Sequence, residues 1–520
     1  MCRMLSPMAV GVIVAFFRAG PALACLALAS FASAPFSSRH SAAQPRSAQP
    51  NIVVVLADDL GYGDVGAYNA ASLIPTPVMD RLARDGARFT DAHSNSAVCT
   101  PTRYGLLTGR YAWRSRLKKG VLWSNGDTLI EAGRATLASM LRDQGYYTAA
   151  VGKWHLGLHW AVRPGATADR ETPQGSTDWI DYTGPVTGGP LAAGFDEFFG
   201  IPASLDMRDY VYVDGEQVVE PPTATLPGIP LGRPGFYRPG PAGPSFRPER
   251  VIDDLTARAV DVITRRSRAD EPFFLYLAMA APHTPMLPTG EFVGKTTLGP
   301  YGDFVAQTDA ALGVVLQALE RTGIAERTLV IVASDNGPAP AGGIAELLPL
   351  GHDAAGGWRG AKHDLFEGGH RVPFIVRWPG VSRAGSVVST PVVMTDVMRT
   401  LADVVGATVP AGAAEDSVSF AAVLKNPDLR APRHEAIVMH SSEGAFAIRQ
   451  DRWKLLLAPG SGGVSPPVPG SRQESGLPPV QLYDLEADPR ETINLQARHP
   501  SVVRRLQRLL QEYQRSGRSR

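Results

Sequence analysis

Four short apolar runs, each passing directly into polar or charged residues, constrain the fold of this chain more than any other feature. Ile52-Val53-Val54-Val55-Leu56 leads to Asp58-Asp59, and Tyr147-Thr148-Ala149-Ala150-Val151 leads to Gly152-Lys153-Trp154-His155. Phe273-Phe274-Leu275-Tyr276-Leu277 leads to Pro282-His283, and Leu329-Val330-Ile331-Val332 leads to Asp335-Asn336-Gly337. Continuous apolar runs of this length suit strands buried on both faces, as in a parallel sheet. Helical patterns lie around and between them at 77–86, 136–145, 253–266 and 304–322. The alternation predicts an α/β fold, a large mixed, mostly parallel sheet sandwiched by helices. In such sheets ligands bind beyond the carboxyl ends of the strands, so one site can collect all four polar groups.

The remainder of the chain is organised around this core. Residues 444–457 and 481–485 read as strands, and Val502, Leu506, Leu509 and Tyr513 form one face of a terminal amphipathic helix. A main domain is therefore expected over 50–430, followed by a smaller C-terminal α+β subdomain of antiparallel strands and a helix over 431–520. Arg520 and its neighbours are expected to fray. Residues 219–250 and 458–479 are rich in proline and glycine and lack hydrophobic periodicity. Loops this long in a compact domain are usually functional or disordered.

Residues 1–34 read as an export signal: Arg3 supplies early positive charge, 19–31 is apolar, and Ser30 and Ala32 suit a small-x-small cleavage site. Residues 35–49, rich in Ser, Ala and Pro, read as a flexible linker. An uncleaved anchor is the alternative, weakened by Arg18 and Pro21. No later segment is apolar enough to span, so no stable membrane span is expected after cleavage, and the protein is expected to be periplasmic or secreted. The formal net charge of +1 gives no global field that would select nucleic acid, and none is expected as a partner.

Of the three cysteines, Cys2 and Cys25 fall in the export signal, so Cys99 is the only one left after cleavage. A lone thiol in an exported protein has no partner within its own chain. It is either an oxidation liability or it carries chemistry. Asp58-Asp59 and Asp335-Asn336 offer hard oxygen ligands, which favour Ca²⁺ or Mg²⁺ over zinc. One acidic pair is a weak signal, but two pairs that each end a buried strand are a stronger one. With only 7 lysines against 44 arginines, Lys153 and Lys362 stand out.

Residues 99–110 read Cys-Thr-Pro-Thr-Arg-Tyr-Gly-Leu-Leu-Thr-Gly-Arg. This string closely resembles the signature of the type I, formylglycine-dependent sulfatases of the alkaline phosphatase superfamily. Other segments resemble that family in family order over about 50–495: Gly-Lys-Trp-His-Leu-Gly, Ala-Pro-His-Thr-Pro, Ser-Asp-Asn-Gly, Arg-Gly-Ala-Lys, Glu-Gly-Gly-His-Arg-Val-Pro-Phe and Leu-Tyr-Asp-Leu-Glu-Ala-Asp-Pro. One departure is Thr102, where the commonest form of the signature has serine.

The resemblance implies that Cys99 is oxidised to formylglycine by a maturation enzyme. It implies one divalent cation, Ca²⁺ with Mg²⁺ as alternative, held by Asp58, Asp59, Asp335 and Asn336 with an oxygen of residue 99. By the same resemblance Arg103 and Lys153 hold the formylglycine, and His155 hydrogen-bonds its hydrate. His283 and Lys362 contact the sulfate and are candidates to protonate the leaving oxygen. Glu367 and Arg371 are expected to hold the loop after Lys362 rather than react. The hydrate carries two hydroxyls on one carbon, one to attack sulfur and one to help expel sulfate. The expected activity is hydrolysis of sulfate monoesters, with sulfated carbohydrates as substrates and aryl sulfates as surrogates. Residues 176–215 and 340–360 are expected to help line the pocket, with Ser204, Asp206, Arg208, Trp358 and Arg359 as contacts. The rival readings are a phosphodiesterase or phosphonate monoester hydrolase of the same superfamily, and a binding protein that has lost catalysis.

Overall fold

The computed structural model describes residues 49–429 and 434–520. The export signal, nearly all of the linker and the expected boundary at 430/431 lie outside the described residues. A ten-stranded sheet comprises β1 (Asn51–Asp58), β2 (Ala87–Phe89), β3 (Tyr147–Lys153), β4 (Glu197–Ile201), β5 (Val213–Asp214), β6 (Gln217–Val218), β7 (Phe273–Pro282), β8 (Thr328–Ser334), β9 (Phe374–Arg377) and β10 (Ser386–Val388). Its order in space is β10-β2-β9-β8-β1-β7-β3-β4-β5-β6. The five central strands, β8-β1-β7-β3-β4, are mutually parallel. The four apolar runs are four of these five, and their carboxyl ends share one edge.

Helices cover both faces, which is why the central strands are apolar without alternation. Val53, Val55, Leu275, Leu277, Val330 and Val332 pack against α1 (Pro77–Asp85), α4 (Val251–Arg266) and α5 (Gly299–Arg321). Ile52, Val54, Leu56, Phe274, Tyr276 and Ile331 face α2 (Cys99–Thr108), α3 (Leu137–Asp143) and α6 (Asp396–Val405). Thr136 caps α3 by accepting a hydrogen bond from Ser139 N. The chain thus has the large mixed, mostly parallel sheet between helices that the runs predict.

The smaller C-terminal sheet is antiparallel throughout: β11 (Ile437–His440), β12 (Phe446–Gln450), β13 (Trp453–Leu456) and β14 (Gln481–Asp484). Strand β11 was not expected from the sequence. Helix α7 (Pro500–Ser516) lays Val503, Leu506, Leu509, Leu510 and Tyr513 on this sheet, Val503 taking the inner position expected of Val502. Tyr111, Trp113, Leu365 and Phe366 share the same core, so the sheet braces the segment just after Lys362. The terminus is pinned rather than frayed: Ser519 N donates to Glu415 O at 3.3 Å and Arg520 Nε to Ala414 O at 2.9 Å. Among the described residues no helix is long and apolar enough to cross a membrane.

Candidate active site

Strand β1 ends at Asp58, and the chain then turns through Asp59, whose φ of 67° lies in the left-handed region. The turn is fixed by β8, its neighbour in the sheet: Asp59 N donates to Asp335 Oδ1 at 3.2 Å and Leu60 N to Ser334 Oγ at 2.9 Å. Register pairs Ala57 with Ser334, so the two acidic pairs emerge side by side. One ligand atom from each of Asp58, Asp59 and Asp335 lies within 4.8 Å of the others, and all three residues are buried.

The other predicted residues converge on this cluster. Lys153, the last residue of β3, places Nζ 2.5 Å from Asp58 Oδ2 and 3.1 Å from Ser204 Oγ. Cys99 opens α2, and its sulfur groups with Asp58 and His283 within 4.8 Å. Arg103 lies one turn further along α2. Its Nε and Nη2 donate to Asp335 Oδ2 at 3.1 and 2.8 Å, and Nη1 donates to Lys153 O at 3.0 Å. Lys362 Nζ is 2.6 Å from Asp59 Oδ1, which also accepts from Asn336 Nδ2 at 2.7 Å. Thr102, the departure from the signature, donates its hydroxyl to Ser96 O at 3.0 Å inside the fold.

Three oxygens in the cluster, Asp58 Oδ1, Asp59 Oδ2 and Asn336 Oδ1, are buried without a hydrogen-bond partner. Buried polar atoms are nearly always satisfied, and hard oxygens gathered in this way fit a divalent cation. Burial opposes ionisation of Asp58, but Lys153, His283 and Arg103 outweigh it and hold the carboxyl well below its usual range. Burial also opposes ionisation of Asp59, which Lys362 and His283 keep below the usual value. Asp335 behaves oppositely: burial and the nearby Asp58 push it up to about 7 despite Arg103. A cation bound here would favour the ionised form of Asp335, which is a second reason a cation fits.

Burial pushes the Cys99 thiol up to about 11, although Lys153 and Lys362 pull it down. An unmodified thiol here is a poor nucleophile near neutral pH. Burial, together with Lys153 and Arg103, keeps His155 neutral. Its Nε2 lies 2.8 Å from Leu122 O and so donates, which leaves Nδ1 a buried acceptor without a partner. His283 Nδ1 lies 2.6 Å from Thr284 O and donates to it, leaving Nε2 3.6 Å from Asp59 Oδ2.

A pocket of about 380 Å³ opens over the cluster, with Asp59, Cys99, His155, His283 and Lys362 lining it. Ser204 and Asp206 line it as expected. Arg208 does not line it, and neither Trp358 nor Arg359 does. The Trp358 ring lies 4.0 Å from the Arg371 guanidinium, and Arg359 donates to Glu491 O and covers the Phe366 ring at 3.8 Å. Glu367 and Arg371 hold the loop: they pair at 2.6 Å, and Lys454 Nζ donates to Glu367 Oε1 at 2.9 Å. Sequence reasoning missed Trp123, Phe236, Arg238, His363 and Val464 in the pocket wall. Phe236 and Arg238 come from the 219–250 stretch and Val464 from 458–479, so the loop composition pointed to the right segments without naming residues.

The Sulfatase family model matches residues 50–407. The chain is 33% identical over 501 residues to an N-acetylgalactosamine-6-O-sulfatase of Bacteroides thetaiotaomicron, covering 89% of this chain and 93% of the relative. It is 32% identical over 466 residues to human arylsulfatase A, covering 86% of this chain and 83% of the relative. A solved Bacteroides thetaiotaomicron structure connected with the metabolism of multiple glycosaminoglycans superposes with a TM-score of 0.77 at 32% identity, over 90% of this chain and 99% of that one.

Proposed function

The chain belongs to the sulfatase family and is a sulfuric ester hydrolase, and from that premise we propose that it hydrolyses sulfated carbohydrates using formylglycine at position 99 and a divalent cation, Ca²⁺ or Mg²⁺. The observation that carries the proposal is the buried Cys99 at the start of α2, grouped with Asp58 and His283, while Asp58 itself groups with Asp59 and Asp335. Similarity to an N-acetylgalactosamine-6-O-sulfatase supports the carbohydrate reading, and nothing in these relatives favours a phosphodiesterase. A periplasmic or secreted location, and encounter with a formylglycine-generating enzyme, rest on the export signal read in residues 1–34.

Asp58, Asp59, Asp335 and Asn336 would hold the cation together with an oxygen of residue 99. Bound there, the cation supplies Lewis-acid stabilisation of developing negative charge, and the hydrated aldehyde supplies the nucleophilic hydroxyl. The side chains do the rest. Arg103 and Lys153 fix the nucleophile's surroundings through Asp335 and Asp58. The free Nδ1 of His155 accepts a proton from a hydroxyl at position 99. Lys362 and His283 bind sulfate oxygens, and a proton carried on His283 Nε2, in addition to the Nδ1 proton held by Thr284 O, passes to the departing oxygen. Three cationic side chains face three carboxylates, so a bound divalent cation leaves a surplus of two positive charges to receive a sulfate ester.

The proposal is tested by measuring anion release from sulfated mono- and disaccharides, nitrophenyl sulfate, a phosphodiester and a phosphonate monoester, with elemental analysis of the purified protein. Sulfate release and one equivalent of calcium or magnesium are expected. A preference for the phosphorus substrates, or stoichiometric zinc, overturns it. The proton-donor role of His283 has its own test. A sugar alkoxide needs a proton to leave, whereas a nitrophenolate does not. His283→Ala is therefore expected to lose more kcat on a sugar sulfate than on nitrophenyl sulfate, by a factor on the scale of general-acid catalysis, ~10²–10⁴. Equal losses would limit His283 to binding sulfate.

A further inference from the structure

Besides the catalytic cluster, the pocket is lined by a second set of residues with a separate chemical character. We propose that His363, the Arg238–Asp206 pair and Trp123 form a subsite that reads hydroxyl groups on an otherwise uncharged sugar ring bearing the sulfate. The inference rests on the sulfatase reading above and specifies its substrate class.

His363 directly follows Lys362, and the two side chains divide their work. Lys362 turns to Asp59, while His363 lines the pocket. The backbone that permits this is clamped in the left-handed region at φ 84°, with His363 N donating to Ala97 O at 2.8 Å and His363 O accepting from Ser442 N at 3.1 Å. A non-glycine residue is held there only when its surroundings fix it. No hydrogen bond from another described residue reaches its ring. Burial and the neighbouring Lys362 push the imidazole down to about 4, so near neutral pH it offers one donor and one acceptor and no charge.

Arg238 is held in place by its own contacts. Its Nη1 lies 2.6 Å from Asp206 Oδ2, its Nε donates to Gln174 Oε1 at 3.0 Å, and the guanidinium sits 4.9 Å from the rings of both Trp123 and Phe236. Asp206 Oδ1 is buried and has no hydrogen-bond partner among the described residues. The pair thus presents a donor beside an acceptor while its charges cancel. Fixed polar groups of this kind suit hydroxyls, and an aromatic ring beside them suits the apolar face of a sugar. Outside the sulfate end, Arg238 and Asp206 are the only charged side chains lining the pocket among the described residues, and they neutralise each other. A carboxylate or second sulfate on the ring would lose hydration here and meet no spare cation. The volume, about 380 Å³, lies toward the small end of the ~300–1,000 Å³ typical of ligand sites, which suits one ring with its ester.

The test compares a sulfated hexose with a sulfated hexuronic acid that carries the ester at the same carbon. The wild-type enzyme is expected to favour the hexose by about tenfold or more in kcat/KM, mainly through KM. His363→Gly tolerates the left-handed backbone but removes the ring. It is expected to lower the ratio of hexose sulfate to nitrophenyl sulfate turnover by about tenfold, and His363→Gln, which keeps a donor and an acceptor, to restore most of it. Calorimetric titration of Cys99→Ala protein with the two sulfated sugars reads the same preference without turnover. Absence of sulfate release by the wild type would refute the activity reading, separately from the subsite. Equal or tighter binding of the hexuronic acid overturns the subsite, as does an unchanged ratio in His363→Gly.

Discussion

Cys99→Ala will fold and will release no measurable sulfate, a loss of at least ~10⁴-fold on the scale of removing an enzyme's nucleophile. Cys99 is buried at the first position of α2 and makes no hydrogen bond among those that fix the cluster, so alanine removes only a sulfur atom from the packing. Arg103, Lys153 and Lys362 keep their carboxylate partners. Cys99→Ser will follow the alanine variant closely. Serine carries one hydroxyl on its β-carbon, whereas a hydrated aldehyde carries two and can re-form a carbonyl as sulfate leaves. The native thiol, pushed up to about 11 by burial, is itself a weak nucleophile. Peptide mass spectrometry across residue 99 should show an aldehyde or its hydrate in the active protein, with near-native melting for both variants. Full activity from protein with an intact thiol at position 99 would refute this chemistry.

The parts of the fold that were legible share one physical cause. Strands β1, β3, β7 and β8 are covered on both faces, so their sequences are apolar without interruption and announce themselves. Their polar sequels mark the carboxyl edge, and sheet topology gathers them at one place. The flanking strands β2, β9 and β10 are only three or four residues long and give no comparable pattern. Strand β11, also of four residues, was not read from the sequence. In α7 the helical period was right, but Val503 displaced Val502 because neighbouring positions on a helix compete for the same core.

The site divides along a similar line. Cys99 and Arg103 were named by resemblance to the family signature, whereas residues that end the central strands were legible because strand ends share one edge of the sheet. The pocket wall was not. Trp123, Arg238 and Val464 arrive on three irregular loops, and their meeting depends on long-range packing that carries no periodic signal. Trp358 shows the converse. An aromatic residue near Lys362 suits a sugar face, but Trp358 lies outside the pocket lining, where Glu367 and Asp91 hold Arg371 over its ring.

Asp335→Ala is expected to cost both the cation and a large part of the stability, through Arg103. The Arg103 side chain is fully buried, two of its nitrogens donate to Asp335 Oδ2, and its only other carboxylate neighbour among the described residues is Asp58 at 3.6 Å. Removing one partner of a buried ion pair typically costs ~3–5 kcal/mol, because the remaining charge is left uncompensated. Asp335→Asn should cost less, since the amide oxygen still accepts from Arg103, yet it should also bind the cation poorly for lack of charge. The wild type and Asp335→Asn separate further on chelation. In cation-free wild type the Asp335 carboxyl, raised to about 7, favours its protonated form, so the folded state holds a proton that the unfolded state releases. Its contribution to stability is therefore largest below the ordinary carboxylate value near 4 and declines as pH rises toward 7. Asp335→Asn lacks that group, so the stability difference between cation-free wild type and Asp335→Asn should shift against the wild type over this range. Adding Ca²⁺ should remove the wild-type penalty and leave the variant almost unchanged. Urea midpoints at pH 5 and pH 7, with and without cation, measure all four states. A cation that stabilises Asp335→Asn as strongly as the wild type would show that Asp335 is not one of its ligands.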